Sequence, residues 1–152
     1  MNYTRPATTA LELTRLVAAT PAEVYDVWLD ATGPGSPWFG AERLILDARP
    51  DGLFFHALTH AGQVWAHYGR FVALDRPHRI EHTWVSEATR GLESVLELRL
   101  APEGDGTRIT LRHRDVPDDD FGRQHRDGWS YVLGMIAERF ATGHEEGAAP
   151  DA

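Results

Sequence analysis

The chain has no cysteine and no lysine. Without cysteine it has no thiol nucleophile, no thiolate metal ligand and no disulfide, which fits a cytoplasmic protein. Without lysine no side chain can form a Schiff base, so lysine-dependent aldolase and pyridoxal chemistry are excluded. No apolar run reaches the ~18 residues that a membrane-spanning helix needs, so membrane insertion is not expected. The first residues lack a basic segment followed by an apolar stretch, so no secretory signal is readable. All 15 basic residues are arginines, set against 23 acidic residues for a formal net charge of −8. They are scattered, not gathered into a stripe, and neither nucleic acid nor an anionic membrane surface is an expected partner.

What is present is enough for one self-sufficient domain. A chain of 152 residues, 42% of them apolar, can bury about 68–70% of its unfolded surface without staples. Met1 to Thr9 have no periodicity and read as frayed. Leu11 to Ala19 read as a first strand of ambiguous facing. Thr20-Pro21-Ala22-Glu23 starts a helix, with Thr20 as N-cap, proline in the first turn and Glu23 placed to close a capping box. That helix presents Val24, Val27 and Trp28 and ends near Leu29. A break follows at Gly33-Pro34-Gly35-Ser36-Pro37, then a short second helical turn at Trp38-Phe39.

Strands then come in series. Leu44 and Leu46 mark the inner face of the second, and Asp51-Gly52 turns the chain. Leu53–His60 and Gln63–Leu74 form a hairpin across Ala61-Gly62. Arg79 to Val85 alternates, with Ile80, His82 and Trp84 inward against Arg79, Glu81 and Thr83 outward. Ser94, Leu96, Leu98 and Leu100 share the inner face of the next strand. In the last, Ile109, Leu111 and His113 oppose Arg108, Thr110 and Arg112. Pro117 and Asp118-Asp119-Asp120 stop that strand and offer helix N-caps. From Phe121, an apolar stripe of His125, Trp129, Val132, Leu133, Ile136 and Phe140 predicts a long amphipathic helix. Residues 141–152 are small and acidic and read as a disordered tail.

The inward face carries unusual polarity. With a two-residue loop at Ala61-Gly62, paired positions sum to 123, which sets Leu58 opposite Trp65 and His56 opposite His67. The alternative facing, with Phe55, Ala57, Ala66 and Tyr68 inward, is disfavoured by Arg70. A lone inward histidine is most often a satisfied core residue, and His113 reads so. Leaving a buried polar group unpaired costs about 1–3 kcal/mol, so several such histidines in a dry core are untenable. Either some lie at a rim or the interior is wet and roomy, and the second is favoured. Two opposed imidazoles also resist double protonation, so at least one of His56 and His67 should stay neutral below its unfolded pKa. No HxH or HExxH spacing accompanies the pair, and neither a metal nor another cofactor is expected. Ser94 would oppose His113 in one register, but no nucleophile elbow or oxyanion loop is present.

The run from Gly69 (GRFVALDRPHRIEHTW), then Gly106 (GTRITLRH) and Gly128-Trp129, resembles the START-like or SRPBCC superfamily. Within it the chain is similar to the AHSA-type branch, named after the activator of the heat-shock ATPase. The matching positions are Gly69, Phe71, Leu74, Asp75, Pro77, Thr83 and Trp84, then Gly106, Thr107, Ile109, Leu111 and His113. The resemblance implies an α+β helix-grip fold over residues 10–140. A curved antiparallel sheet of about seven strands would wrap a long C-terminal helix, with two short helices after the first strand. It also implies an internal cavity and an inward phenyl at Phe54. Members include polyketide cyclases, lipid binders, drug-sequestering proteins and co-chaperone domains, and a fold hosts many chemistries. The expected ligand is small and mainly apolar, aromatic or polyketide-like. Its expected contacts are Phe54, His56, Leu58, Trp65, His67, His82, Trp84, His113, His125 and Trp129. Cyclisation or dehydration by the histidines, and sequestration, use the same cavity. The competing expectation is a co-chaperone-like interaction module, which calls for a filled interior and an exposed patch.

Overall fold

The computed structural model describes residues 4–31, 36–38 and 40–148, with side chains through residue 141. In chain order the elements are β1 (Thr8–Val17), α1 (Pro21–Trp28), β2 (Arg43–Leu46), β3 (Leu53–His60), β4 (Gln63–Asp75) and β5 (Arg79–Trp84). A single 3-10 turn (Glu87–Thr89), β6 (Ser94–Glu103), β7 (Gly106–Pro117) and α2 (Asp120–Ala148) follow. The strands form one antiparallel sheet in the order β1-β7-β6-β5-β4-β3-β2. Among the described residues, only the β1–β7 pairing joins strands distant in sequence. β1 starts at Thr8, earlier than its apolar pattern suggests, because Thr8 and Thr9 pair with Pro117 and Val116. α2 continues past Phe140, where its apolar stripe ends, to Ala148.

Local chemistry accounts for most boundaries. Thr20 Oγ1 accepts from the Glu23 amide and the Glu23 carboxylate accepts from the Thr20 amide, so the capping box at the start of α1 is complete. Asp119 Oδ1 accepts the Gly122 amide at 2.8 Å and caps α2. Ala61 and Gly62 both have positive φ, 52° and 79°, the backbone of a two-residue hairpin turn whose twist matches its strands. The pairing that follows is His56 with His67 and Leu58 with Trp65. The expected second helical turn at Trp38-Phe39 is matched only loosely: residues 36–38 form a bend and turn, and Phe39 lies outside the described residues. The Ser36 hydroxyl shapes that turn, donating to the Asp30 carbonyl and accepting the Trp38 amide.

The core lies between the concave face of the sheet, α1 and α2. Phe54, Phe71, Ile80, Leu96, Leu98, Ile109 and Leu111 rise from the sheet, Val24 and Trp28 from α1, and Trp129, Leu133 and Ile136 from α2. Gly69 lets β4 and β5 approach: a Cβ there would sit 1.9 Å from the Thr83 carbonyl oxygen. Thr83 Oγ1 in turn accepts the Arg70 amide. Two members of the Gly-to-Trp sequence pattern are therefore one packing contact.

The outer face of β5–β7 departs from the simple alternation. Glu81, Thr83 and Glu97 point outward as expected, yet all are buried. Arginine side chains cover the carboxylates: Arg79 and Arg114 reach Glu81, and Arg79 and Arg99 reach Glu97. Burial alone would raise the Glu97 carboxyl, but the two arginine hydrogen bonds outweigh it and hold its pKa below the ordinary value.

The hairpin turn yields a stability test. A Cβ in the left-handed region costs about 1–2 kcal/mol, a penalty that asparagine largely escapes. Ala61→Asn is expected to raise the free energy of unfolding by about 1 kcal/mol in denaturant titration. Gly62→Ala should lower it, although a Cβ at Gly62 would meet nothing within 4 Å.

Candidate functional site

Seven of the ten expected site residues meet in one cluster under α2: Phe54, His56, His67, His82, Trp84, His113 and Trp129 are all buried. The rings are in mutual contact. Phe54 stacks on His82 with centroids 4.2 Å apart, His67 on Trp84 at 4.5 Å, and Trp84 meets Trp129 at 4.9 Å. His56 and His67 stack at 5.4 Å. Side chains thus occupy the space that the resemblance assigns to an internal chamber. Leu58, Trp65 and His125 are half-buried and form the rim. There Trp65 faces Phe121 at 6.4 Å, where the β3–β4 hairpin approaches the start of α2.

Three further rings belong to the cluster, and sequence reasoning did not assign them to it. Trp28 closes α1, Trp38 ends the turn at residues 36–38, and Phe71 lies on β4. Trp28 contacts Trp38, His82 and Trp129, while Trp38 contacts Phe54 and His56. The Trp38 indole N–H donates to the Trp28 carbonyl at 2.7 Å and so pins the turn onto the end of α1. The only sequence signal for Trp28 was its place on the apolar face of α1. Trp38, beyond a Gly-Pro break, offered none.

The proton positions follow from the partners. The Trp129 indole can only donate, and it lies 3.0 Å from His113 Nδ1, so Nδ1 is the acceptor and Nε2 bears the proton. Nε2 donates to Ser94 Oγ at 2.7 Å, and the Ser94 hydroxyl donates onward to the Trp84 carbonyl at 2.5 Å. Every member of this chain is satisfied. A nucleophilic serine needs a histidine lone pair facing its hydroxyl. Here that nitrogen donates, so the pair is structural. His113 is the satisfied core histidine that the sequence suggested.

His82 and His67 are fixed in the other sense. Nδ1 of His82 donates to the Thr83 carbonyl and Nδ1 of His67 to the His56 carbonyl, each at 3.0 Å. Their Nε2 atoms are therefore bare acceptors. At the rim, Nδ1 of His125 donates to the carbonyls of Phe121 and Gly122. Four buried polar atoms have no hydrogen-bond partner among the described residues: Trp28 Nε1, His56 Nδ1, His82 Nε2 and Trp84 Nε1. All four sit on rings of the one cluster.

Burial dominates the imidazole electrostatics. It pushes His56, His67 and His82 down to about 4, and His113 well below the usual histidine value. The His67 charge lowers His56 further, but the opposed-imidazole effect is the lesser cause. His125 is lowered too, again chiefly by burial. All these rings are neutral at physiological pH.

A pH test follows. The unfolded chain protonates His56, His67 and His82 near 6.5 and the folded chain does so only near 4, so the unfolded state binds more protons between those values. Stability is then complete above about pH 6.5 and falls as pH drops toward about 4. Each such histidine contributes up to ~1.36 kcal/mol per pH unit. Denaturant midpoints measured across this window should show that slope, and His82→Phe should reduce it by about one proton. Ser94→Ala strands the His113 N–H in the core and is expected to cost about 1–3 kcal/mol of stability at neutral pH.

Comparison with known proteins places the chain. No curated protein sequence matches it. Solved structures of similar fold include protein CV1439 from Chromobacterium violaceum, 24% identical over 86% of this chain and 96% of that one, with a TM-score of 0.74. The AHSA1 (SPO3351) protein from Silicibacter pomeroyi is 25% identical over 90% of this chain and all of that one, with a TM-score of 0.73. CalU16 from Micromonospora echinospora is 23% identical over 91% and 80% of the two chains, at 0.65. The family model described as Activator of Hsp90 ATPase homolog 1-like protein matches residues 18–141. Those residues hold every ring of the cluster, and the chain belongs to that family.

Proposed function

We propose that this protein binds a small, mainly apolar, aromatic or polyketide-like molecule between the concave sheet face and α2. The reading rests on one observation: four buried polar atoms, on the rings of a single aromatic cluster, without partners among the described residues. Such atoms cost roughly 1–3 kcal/mol each when left unpaired, and that cost is recovered when a guest supplies the missing partner. Entry is from the rim formed by Leu58, Trp65, Phe121 and His125, because this is where the cluster approaches solvent. A guest there displaces the Trp65–Phe121 contact and exchanges ring–ring packing for ring–ligand packing. Burying ~300 Å² of its apolar surface yields about 7 kcal/mol gross at ~25 cal/mol/Å², and association costs bring that to micromolar affinity.

Retention fits these groups better than catalysis. A general base works best with a pKa near the operating pH, whereas His56, His67 and His82 lie near 4 and His113 has both nitrogens engaged. The chemistry favours carrying or sequestering a ligand over cyclising it.

A second reading, a protein-interaction module, has its own observation. The interior is filled, and the outer face of β3 and β4 exposes Leu53, Val64, Tyr68 and Val72, with Phe55 packed edge-on to Tyr68. One titration separates the two. Polycyclic aromatic probes, added to the protein while its tryptophan fluorescence is followed, are expected to quench it with micromolar midpoints, since Trp28, Trp84 and Trp129 adjoin the binding volume. Tyr68→Ser, on the outer face, should leave that midpoint within about twofold. If no probe quenches below about millimolar, the function moves to the outer face of β3 and β4.

A further inference from the structure

Three of the unpartnered atoms gather around one ring. His82 stacks on Phe54, and the Trp28 and Trp84 rings are its neighbours, with centroids 6.3 and 6.2 Å away. Thr83 holds Nδ1 of His82 as a donor, so its Nε2 can only accept. The indole nitrogens of Trp28 and Trp84 can only donate. The set therefore asks for one proton and offers two.

A hydroxyl group meets this demand by itself. Its proton goes to His82 Nε2, and the two lone pairs of its oxygen take the indole N–H groups. A carboxylate lacks the proton. It would also be buried with no cation, since the described arginines lie in half-exposed or exposed positions. An ammonium group lacks the lone pairs. A hydrocarbon leaves all three atoms unpaired. From this we infer that the interior recognises the neutral hydroxyl of an aromatic alcohol, with His82, Trp28 and Trp84 as the residues that select it. This rests on the internal-ligand reading and adds the class of polar group.

Three naphthalene probes test it by isothermal titration calorimetry at neutral pH: naphthalene, naphthol and naphthoate. Naphthol is expected to bind about tenfold or more tightly than naphthalene, the worth of one or two net hydrogen bonds, and naphthoate more weakly than both. In nitrogen-labelled protein, the indole N–H signals of Trp28 and Trp84 should move downfield with naphthol. Those of Trp38 and Trp129, already bonded to the Trp28 carbonyl and to His113, should move less. His82→Phe keeps a ring against Phe54 and removes the acceptor, so it should bring the naphthol-to-naphthalene ratio to about one; circular dichroism verifies that the variant folds. Equal binding of naphthol and naphthalene to the native chain overturns the hydroxyl assignment and leaves the internal site standing. Naphthoate binding as tightly as naphthol overturns it as well. A preference for naphthol that survives in His82→Phe removes His82 from the selecting set. Binding of none of the three probes overturns both the assignment and the internal site.

Discussion

The bond from the Trp129 indole to His113 joins the two halves of this molecule. Apolar contact, which is strong but without direction, supplies most of the rest of the hold on α2, and at the surface Arg126 donates to the Glu12 carbonyl and Arg139 pairs with Asp30. One N–H aimed at one nitrogen sets the rotation of the helix about its axis. It also sets the tautomer of His113 and, through Ser94, reaches the backbone of Trp84 at the end of β5. The last helix is thereby registered to the centre of the sheet. The same chain of donors consumes the chemistry of the serine and histidine that compose it.

The rest of the interior is built around rings with one polar edge. An aromatic residue brings a large apolar body and a directional handle. In this cluster some handles are paired within the fold and others are not. The Trp38 and Trp129 indoles are paired, and they fix the turn after α1 and the seating of α2. Those of Trp28 and Trp84 have no partner among the described residues and adjoin a histidine whose free nitrogen has the opposite polarity. Paired and unpaired polar edges thus share one continuous aromatic layer. Membership in the Activator of Hsp90 ATPase homolog 1-like family is consistent with that division, since its fold is typical of proteins that hold hydrophobic molecules.

The two outer halves of the sheet differ as sharply as its two faces. Over β5, β6 and β7, arginines fold across Glu81 and Glu97 and leave a charged, closed surface. Over β3 and β4 the outward positions include Leu53, Phe55, Val64, Tyr68 and Val72, four of them exposed. An antiparallel sheet with one solvated face ordinarily alternates apolar with polar along each strand. The β3–β4 hairpin carries large apolar side chains on both faces, so alternation alone leaves its facing open. The residue that decided it, Arg70, lies on the outer face and pairs with Asp51 at the surface.

The sequence by itself determined whatever depends on neighbours along the chain. Period-2 alternation named the inward residues of β5, β6 and β7, and a two-residue turn fixed His56 against His67. Thr20 with Glu23 started α1, and the three- and four-residue spacing from His125 to Phe140 chose the buried face of α2. Only the tertiary structure decided what each inward histidine does. His82 and His113 look alike in sequence, each an imidazole among apolar residues on an inward strand face. They differ because Ser94 and Trp129, from two other elements, come within hydrogen-bonding reach of both free nitrogens of His113. His82 is met instead by the ring faces of Phe54 and Trp28. Strand periodicity gives the direction a side chain points, and a hydrogen bond needs in addition a distance and an angle to a group far away in the chain. Trp28 and Trp38 joined the cluster for the same reason: their place in it was set by the packing of α1 and the following turn against the sheet and α2, which no local pattern encodes.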